Sequence, residues 1–268
     1  MGLYSDALQK ALDDGHIDHG DVKRTGFANG RAAAPVSPSG TGLSNSHLSA
    51  AFAEQIMTLQ ERIEYLQGKK QTRMIAVCGC VGDEGSSTIA QQLAIAYAQA
   101  GVQMSSVHKN GRHAYRYSGN KAHNTLVIDA NLHTPRLHQL FGRALEQGLT
   151  EYVMTGVELE HCTKWLPIRD FALISAGSGA RTVSDIFKSQ RFAGLLKRAA
   201  ASFSTVIFDC PAIVVHPDVL AMLTHLDGIV LVARAYRTPM DKLQRAREII
   251  ESRKGRIFGV VLNRSRFA

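Results

Sequence analysis

The sequence predicts an α/β protein with a doubly wound, mostly parallel sheet of about seven strands, in a single domain with an N-terminal extension. Three observations lead to this prediction. Continuous apolar, β-branched runs alternate along the chain with segments of helical periodicity, which is typical of strands covered on both faces. The 268 residues are 45% apolar, which is enough for a full core. No stretch approaches the roughly eighteen consecutive apolar residues of a transmembrane helix.

The extension is assigned to residues 1–45 and the globular domain to residues 46–268. The extension is predicted to contain a short amphipathic helix and then a flexible linker, GRAAAPVSPSGTGLSNS, which is rich in small residues and proline. From Ser46 the apolar spacing predicts a helix whose stripe faces either the core or another subunit. The stripe consists of Phe52, Ile56, Leu59, Ile63 and Leu66.

The strands and helices of the domain follow in alternation. The strands are predicted at RMIAVCG, NTLVIDAN, DFALISAG, STVIFDCPA, DGIVLVARA and IFGVVLN. The helices are predicted at STIAQQLAIAYAQAG, VSDIFKSQRFAGLLKRAAASF and TPMDKLQRAREIIESR, with a short one after Pro217. Residues 104–123 are polar, basic and aromatic without periodicity, so a long loop is expected there.

Composition narrows the function only in part. The net charge of +8 suits an anionic membrane face, an acidic partner or nucleic acid, but also a solvated helix face. The start of the chain lacks the pattern of a signal peptide, so a cytoplasmic protein is expected. The cysteines are expected to be reduced and structural; they are Cys78, Cys80, Cys162 and Cys210.

The remaining conspicuous side chains are expected to be structural. Trp165 is predicted to pack against the sheet edge. Four histidines are interpreted as surface or capping residues rather than bases or ligands; they are His133, His138, His216 and His225.

Three predicted strand ends carry polar residues, at GDEGSST, DANLH and DCPA. In an open parallel sheet such ends form the ligand-binding edge, and a turn before a helix N-terminus can hold a phosphate with its N–H groups. Gly85 and Ser87 stand where a phosphate loop has its second glycine and its magnesium-binding hydroxyl. Asp209 suits a magnesium carboxylate, and Asp129 suits the orientation of a nucleophile.

In order and spacing these stretches resemble the bacterial tyrosine kinases of capsule and exopolysaccharide export, relatives of the MinD/ParA-type ATPases. That family has Pro-Gly-x-Gly-Lys-Ser-Thr, Asp-x-Asp-x-Arg and Asp-x-Pro-Pro in the three places. SAAFAEQIMTLQERIEYL lies where the family has its Glu-x-x-Arg-x-x-Arg oligomerisation helix, and LISAGSGARTVSDIF and GVVLNR also match. The resemblance extends from about residue 46 to residue 264.

The resemblance implies a site for ATP and magnesium and a role in exopolysaccharide or capsule biosynthesis. It implies catalytic roles for Asp129 and Asp209, and magnesium ligation by Ser87 and Asp209. The implied nucleotide-binding residues are Gly82, Asp83, Glu84, Gly85, Ser86, Ser87, Thr88, Asn131 and Asn263. The implied partner is a membrane-embedded chain-length determinant (co-polymerase) protein, which would hold the chain at the inner face of the plasma membrane. A homo-oligomer is a second implied assembly.

Departures from the family pattern argue against catalysis. Ser86 replaces the phosphate-loop lysine. Asp83 replaces the preceding glycine, and its charge within a partly buried loop is expected to repel a phosphate. Asn131 and His133 replace the second aspartate and the arginine of the next motif. Phosphoryl transfer depends on electrostatic stabilisation, so the sequence predicts a pseudokinase with degenerate ATP binding.

Two features outside the phosphate loop point the same way. Met57 and Gln60 replace the arginines of the oligomerisation motif, which weakens the case for the family's assembly. The C-terminal tyrosine cluster is missing, because the last tyrosine is Tyr236. The favoured hypothesis is therefore an adaptor without kinase activity.

Two alternatives stay open. One is an active tyrosine autokinase or ATPase in which Lys109, Arg112 or Arg116 of the long insertion replaces the missing lysine. The other is a ParA-like, DNA-associated ATPase, suggested by the positive charge, although nucleic acid is not the expected partner.

Overall fold

The computed structural model describes residues 50–68, 73–100, 105–109, 112–116, 124–168, 171–179 and 183–265. The helix and linker predicted within residues 1–45 lie outside the described residues. The side chains of Lys109, Arg112 and Arg116 lie outside them too.

Four of the described helices lie close to the patterns that predict them, whereas three short ones, at 137–140, 149–154 and 159–162, were not predicted. The helices are α1 (Ala50–Gln67), α2 (Ser86–Ala100), α3 (Leu137–Leu140), α4 (Leu149–Met154), α5 (Leu159–Cys162), α6 (Val183–Lys188), α7 (Gln190–Ser202), the 3₁₀ helix Pro217–His225, and α8 (Met240–Ser252). The strands are β1 (Arg73–Gly79), β2 (Ser105–Lys109), β3 (Arg112–Arg116), β4 (Thr125–Asp129), β5 (Thr163–Trp165), β6 (Phe171–Ile174), β7 (Thr205–Cys210), β8 (Gly228–Arg234) and β9 (Ile257–Asn263).

Seven strands form one sheet in the order β5-β6-β4-β7-β1-β8-β9. Only β5, at one edge, runs antiparallel to its neighbour; the other pairs are parallel. The predicted fold class is therefore confirmed. Among the described residues no helix is both long enough and apolar enough to cross a membrane.

Two hydrophobic clusters cover the two faces of the sheet. On β1, Ile75 and Val77 point into the cluster that contains α1 and α2, whereas Ala76 and Cys78 point into the cluster that contains α7. All four side chains are fully buried. Burial on both faces explains why the strands are continuously apolar rather than alternating.

Helix α1 packs on the core through part of its predicted stripe. Ile56 and Ile63 are buried in the same cluster as α2, whereas Leu66 is exposed. Met57 is also exposed, but Gln60 is buried and its amide donates to the carboxylate of Glu64. The core reading of the stripe is thus supported, and the homo-oligomer stays a prediction.

Besides the short helices α3, α4 and α5, the predicted elements differ from the structure in three places. The long helix expected from Val183 to Phe203 is two helices, because the Ser189 hydroxyl accepts from the N–H of Phe192 and caps a new helix. Part of the loop expected at 104–123 is the antiparallel hairpin β2–β3. Strand β5 was not predicted; it carries Trp165, which stacks on Phe203 at the sheet edge as expected.

Candidate nucleotide site

The three polar strand ends meet at the carboxyl edge of the sheet. Strand β1 lies beside β7, and β7 lies beside β4, so that Val77 and Asp129 both pair with Asp209. The turn at 80–85 leaves β1 here and leads into α2, whose first residue is Ser86. The structure thus brings the predicted loop and both predicted aspartates to one edge.

The last strand supports the turn from the side. The amide nitrogen of Asn263, at the end of β9, donates to the Glu84 carbonyl over 2.8 Å. Gly85 has a φ of +87°, and a Cβ there would lie 2.5 Å from the same amide nitrogen. Asn263 therefore positions the turn, and only glycine fits position 85 without strain.

Glu84 binds the turn from within. Its carboxylate accepts from the N–H of Val81 over 2.9 Å and from the N–H of Gly82 over 2.7 Å. The Thr238 hydroxyl, from the loop after β8, donates to the same carboxylate over 3.3 Å. The side chain is only 2% exposed. Two N–H groups of the turn therefore bind the Glu84 carboxylate. Glu84 was assigned to the nucleotide site from the sequence, and this internal contact was not predicted.

The start of α2 keeps the remaining features of an anion site. An α-helix leaves its first N–H groups without intrahelical partners, and its dipole favours negative charge there. The half-buried Ser86 occupies the first position, Ser87 is buried, and Thr88 closes the turn by donating its N–H to Gly85. The first turn of α2 holds no lysine or arginine.

Asp83 is less of an obstacle to a phosphate than the sequence suggested. It was expected to repel a phosphate within a partly buried loop, but its side chain is 81% exposed and pairs with Arg136 at 3.9 Å. The exposed position weakens the repulsion, because water screens exposed charges. The buried carboxylate of the turn is that of Glu84.

Two arginines that sequence reasoning did not single out, Arg136 and Arg234, interact with Asp83. The pKa of Arg234 is lowered by desolvation and by the charges of Arg264 and Arg237, whereas Asp83 acts to raise it. Arg234 ends β8, and Arg264 directly follows β9. The sequence offered one signal that could have identified Arg234 and Arg264: each is a basic residue at the carboxyl end of a predicted parallel strand.

Asp129 is held by backbone donors. One carboxylate oxygen accepts from the N–H of Asn131 over 3.2 Å, and the other accepts from Arg136 and Leu137 over 3.1 and 3.0 Å. Burial raises the pKa of Asp129 to about 7, although these donors act to lower it. The side chain thus orders the loop after β4, and its role in orienting a nucleophile stays a prediction.

Asp209 is buried without partners. It is fully buried, and neither carboxylate oxygen has a hydrogen-bond partner among the described residues. Burial and then the charge of Asp129 raise its pKa well above the usual range, while the nearby Ser87 hydroxyl opposes the rise. A buried carboxylate with open lone pairs is the expected state of a cation ligand.

The side chains of Asn131 and His133 contact residues outside the turn at 80–85. The Asn131 side-chain oxygen accepts from the N–H of Thr134 over 3.1 Å and so shapes its own loop. His133 Nε2 lies 3.0 Å from an oxygen of Asp218. The structure therefore shows no contact of either side chain with the turn at 80–85 in the part of the chain that it describes.

The four cysteines are free and buried. Burial raises the pKa of Cys80, at the start of the turn, to about 12, with a smaller contribution from Glu84. The Cys80 thiol is therefore protonated and unreactive at neutral pH, which is typical of a structural cysteine.

These residues fit magnesium better than they fit a triphosphate. Asp209 and Ser87 would hold the ion, whose oxygen preference matches a carboxylate and a hydroxyl. Bound there, magnesium would neutralise phosphate charge. The start of α2 offers N–H groups to a phosphate, but Ser86 supplies no cation and Glu84 already engages two N–H groups.

No family model matches the sequence. Among curated proteins, the chain is 24% identical over 211 residues to the tyrosine-protein kinase YwqD of Bacillus subtilis, covering 79% of this chain and 80% of that protein. It is 25% identical over 228 residues to the succinoglycan biosynthesis transport protein ExoP of Rhizobium meliloti, covering 81% of this chain but only 25% of ExoP. The Acinetobacter johnsonii tyrosine-protein kinase ptk is likewise matched over 26% of its length.

Solved structures share the fold. The kinase domain of the Escherichia coli tyrosine kinase ETK matches with a TM-score of 0.67 and 21% identity, over 81% of this chain and 78% of that one. The septum site-determining protein MinD of Pyrococcus horikoshii, solved with Mg-ADP, matches with a TM-score of 0.56 and 16% identity, over 74% and 72%.

The parallel sheet and the turn before α2 place the protein among the MinD-like P-loop NTPase folds. Within that class, its homologues are the bacterial tyrosine kinases.

Proposed function

We propose that the protein is a catalytically degenerate relative of the bacterial tyrosine kinases that acts in exopolysaccharide or capsule biosynthesis and export. It works as an adaptor, bound on the cytoplasmic side to a membrane chain-length determinant protein. The kinase relatives and the transport protein ExoP support the process, and the basic C-terminal part of the chain suits a membrane-side partner.

One observation carries the loss of catalysis: Ser86 stands at the first position of α2, where no lysine or arginine of that turn faces the phosphate site. Transfer of a phosphoryl group relies on preorganised charge, and removal of one such group commonly costs about a hundredfold to a thousandfold in rate. Glu84 adds to the loss, because its carboxylate occupies the N–H groups of Val81 and Gly82.

The protein still binds ATP with magnesium, but more weakly than a complete phosphate loop would. Asp209 and Ser87 hold the ion, and the start of α2 binds phosphate without driving its transfer. Binding without turnover makes the protein a nucleotide-responsive adaptor rather than a kinase.

Two assays test the loss of catalysis. Purified protein is incubated with magnesium and γ-labelled ATP, with YwqD as a positive control, and we expect no self-labelling and no released phosphate. Titration calorimetry then compares ATP binding by the wild type and by Ser86→Lys, for which we expect about tenfold to hundredfold tighter binding, because a charged hydrogen bond contributes about 1.5–3 kcal/mol.

A matched control separates a local effect from a change in net charge. Ser252→Lys adds the same charge at the exposed C-terminal end of α8. Strand β9 begins shortly after this point, so Ser252 lies on the side of the amino ends of the strands, away from the carboxyl ends that carry the candidate site. This variant should bind ATP as the wild type does. Turnover by the wild type that Asp129→Asn abolishes would contradict the proposal.

An active autokinase or ATPase is the second candidate function. The observation that favours it is the pair of arginines that interact with Asp83, Arg136 and Arg234, either of which would replace the missing lysine. In that case Arg234→Ala or Arg136→Ala would abolish turnover, whereas Arg253→Ala, at the end of α8, would not.

The partner is tested separately. Co-purification of the protein with a membrane chain-length determinant protein, and loss of polymer on deletion of its gene, are the expected results. Failure of both would remove the adaptor role while leaving the catalytic question to the labelling assay.

A further inference from the structure

Two histidines and an aspartate meet beside the nucleotide site without belonging to it. They are His133 in the loop after β4, and His216 and Asp218 at the start of the 3₁₀ helix after β7. One ligand atom from each lies within 4.8 Å of the other two. We propose that these three side chains bind a divalent transition-metal ion of the zinc type.

The donor set points to this class of ion. Imidazole nitrogens suit zinc, copper, nickel and cobalt, whereas magnesium and calcium prefer oxygen ligands. Two imidazoles with one carboxylate leave further coordination positions for water, as in zinc sites with three protein ligands. His133 is exposed, and His216 and Asp218 are partly exposed, so an ion and its water can enter.

The three donor groups already lie near one another. His133 Nε2 is already 3.0 Å from Asp218 Oδ2, and the two imidazole rings are stacked with their centroids 3.8 Å apart. Ligand atoms of a tetrahedral zinc ion lie about 3.4 Å apart, since each bond is about 2.0–2.1 Å. The three ligand atoms lie within 4.8 Å of one another, so the two rings must turn out of their stacked arrangement before all three donors face one ion.

The backbone beneath the three residues is fixed. The loop of His133 is held by the bond from the Thr134 N–H to the Asn131 side chain. The N–H of His216 donates to the Ala212 carbonyl over 2.8 Å, and Val219, directly after Asp218, is fully buried. Only side-chain freedom is lost when the ion binds, which keeps the entropic cost small.

A surface ion pair alone does not account for the arrangement. The pair needs only His133 and Asp218, and an exposed pair contributes little to stability. The third residue, His216, stacks on His133. The His133–Asp218 pair leaves the position of His216 without an explanation, whereas a shared cation would use all three side chains.

The experiment is calorimetric titration of the full chain with zinc chloride in the absence of nucleotide, which would chelate the ion. We expect the wild type to bind one equivalent of zinc at this site. In each of His133→Ala, His216→Ala and Asp218→Asn, that equivalent should be lost or the affinity of the site for zinc should fall at least about tenfold. The control is His161→Ala, which removes an exposed histidine from α5 and should bind zinc as the wild type does.

Cobalt provides a second readout. Bound cobalt(II) should show d–d absorption bands that the His133→Ala and Asp218→Asn variants lose. Circular dichroism of each variant verifies the fold, and the three positions are exposed enough for the chain to tolerate the changes. Equal zinc stoichiometry and affinity in the wild type and all three variants, or no zinc binding by the wild type, would overturn the proposal.

Discussion

Asp209 offers a prediction in which loss of a functional group stabilises the protein. Its carboxylate is fully buried at the carboxyl edge of the sheet, and neither oxygen has a partner among the described residues. Burial and the charge of Asp129 both raise its pKa. Asp209→Asn keeps the shape of the side chain and removes the buried charge, so the free energy of unfolding should increase at neutral and alkaline pH.

The size of the effect follows from the burial. A buried polar group without partners costs about 1–3 kcal/mol whether it is an amide or a neutral carboxyl, so the gain comes only from the additional cost of the charge. A gain of about 2 kcal/mol corresponds to a rise of about 4–8 °C in Tm for a domain of this size. Each of the two carboxyls has a higher pKa in the folded state than in the unfolded state. Its protonation therefore favours folding below the unfolded-state pKa, and this contribution to stability is lost as the pH rises through the folded-state pKa, which is about 7 for Asp129. The gain in Asp209→Asn should thus be large at pH 8 and small near pH 4.

The assay is urea unfolding followed by circular dichroism, with EDTA present so that no metal stabilises the wild type. Asp129→Asn is the contrasting variant. Its carboxylate accepts N–H groups at both oxygens, from Asn131 and from Arg136 and Leu137, and an amide would place N–H₂ against at least one donor. This variant should be destabilised by about 1–3 kcal/mol.

If Asp209→Asn raises the free energy of unfolding and Asp129→Asn lowers it, Asp209 is a group that serves a ligand and reduces stability. The reasoning fails if Asp209→Asn is less stable than the wild type at pH 8, because the carboxylate must then have favourable partners in the folded chain. It also fails if the difference does not depend on pH.

Two further predictions concern the turn. Gly85→Ala should lower the free energy of unfolding by about 1–3 kcal/mol, because its φ is +87° and the new Cβ would meet the Asn263 amide; Gly194→Ala, in the middle of α7 with open space around its Cβ, should instead stabilise by about 0.5–1 kcal/mol. Cys80, whose pKa burial raises to about 12, should react with iodoacetamide at pH 8 only after denaturation. Mass spectrometry of the native protein checks this, and rapid alkylation of Cys80 would contradict the burial.

Local patterns in the sequence were sufficient for the sheet. Apolar runs such as TLVID and TVIFDC are buried on both faces, and each became a parallel strand within a residue or two of its predicted bounds. The position of the turn before α2 followed from glycine and hydroxyl residues between a strand and a helix. These features depend on neighbours along the chain, so the sequence contains their signal.

Edges and interruptions were harder to predict. The three residues of β5 are too few to show periodicity, and the hairpin β2–β3 lies in a polar segment without an apolar face to reveal it. The break at Ser189 depends on a capping hydrogen bond that competes with a helix pattern continuing through it.

The sequence by itself determined the class of fold, the order of its strands and helices, and the missing amine at position 86. Only the tertiary structure decided how charge is arranged at the edge of the sheet: the Glu84 carboxylate within the turn, the exposed Asp83, and the unpartnered Asp209. The same is true of the contact between His133 and Asp218, which are 85 residues apart. The reason is that burial and pairing depend on which loops the sheet brings together at its carboxyl ends, which no local pattern shows.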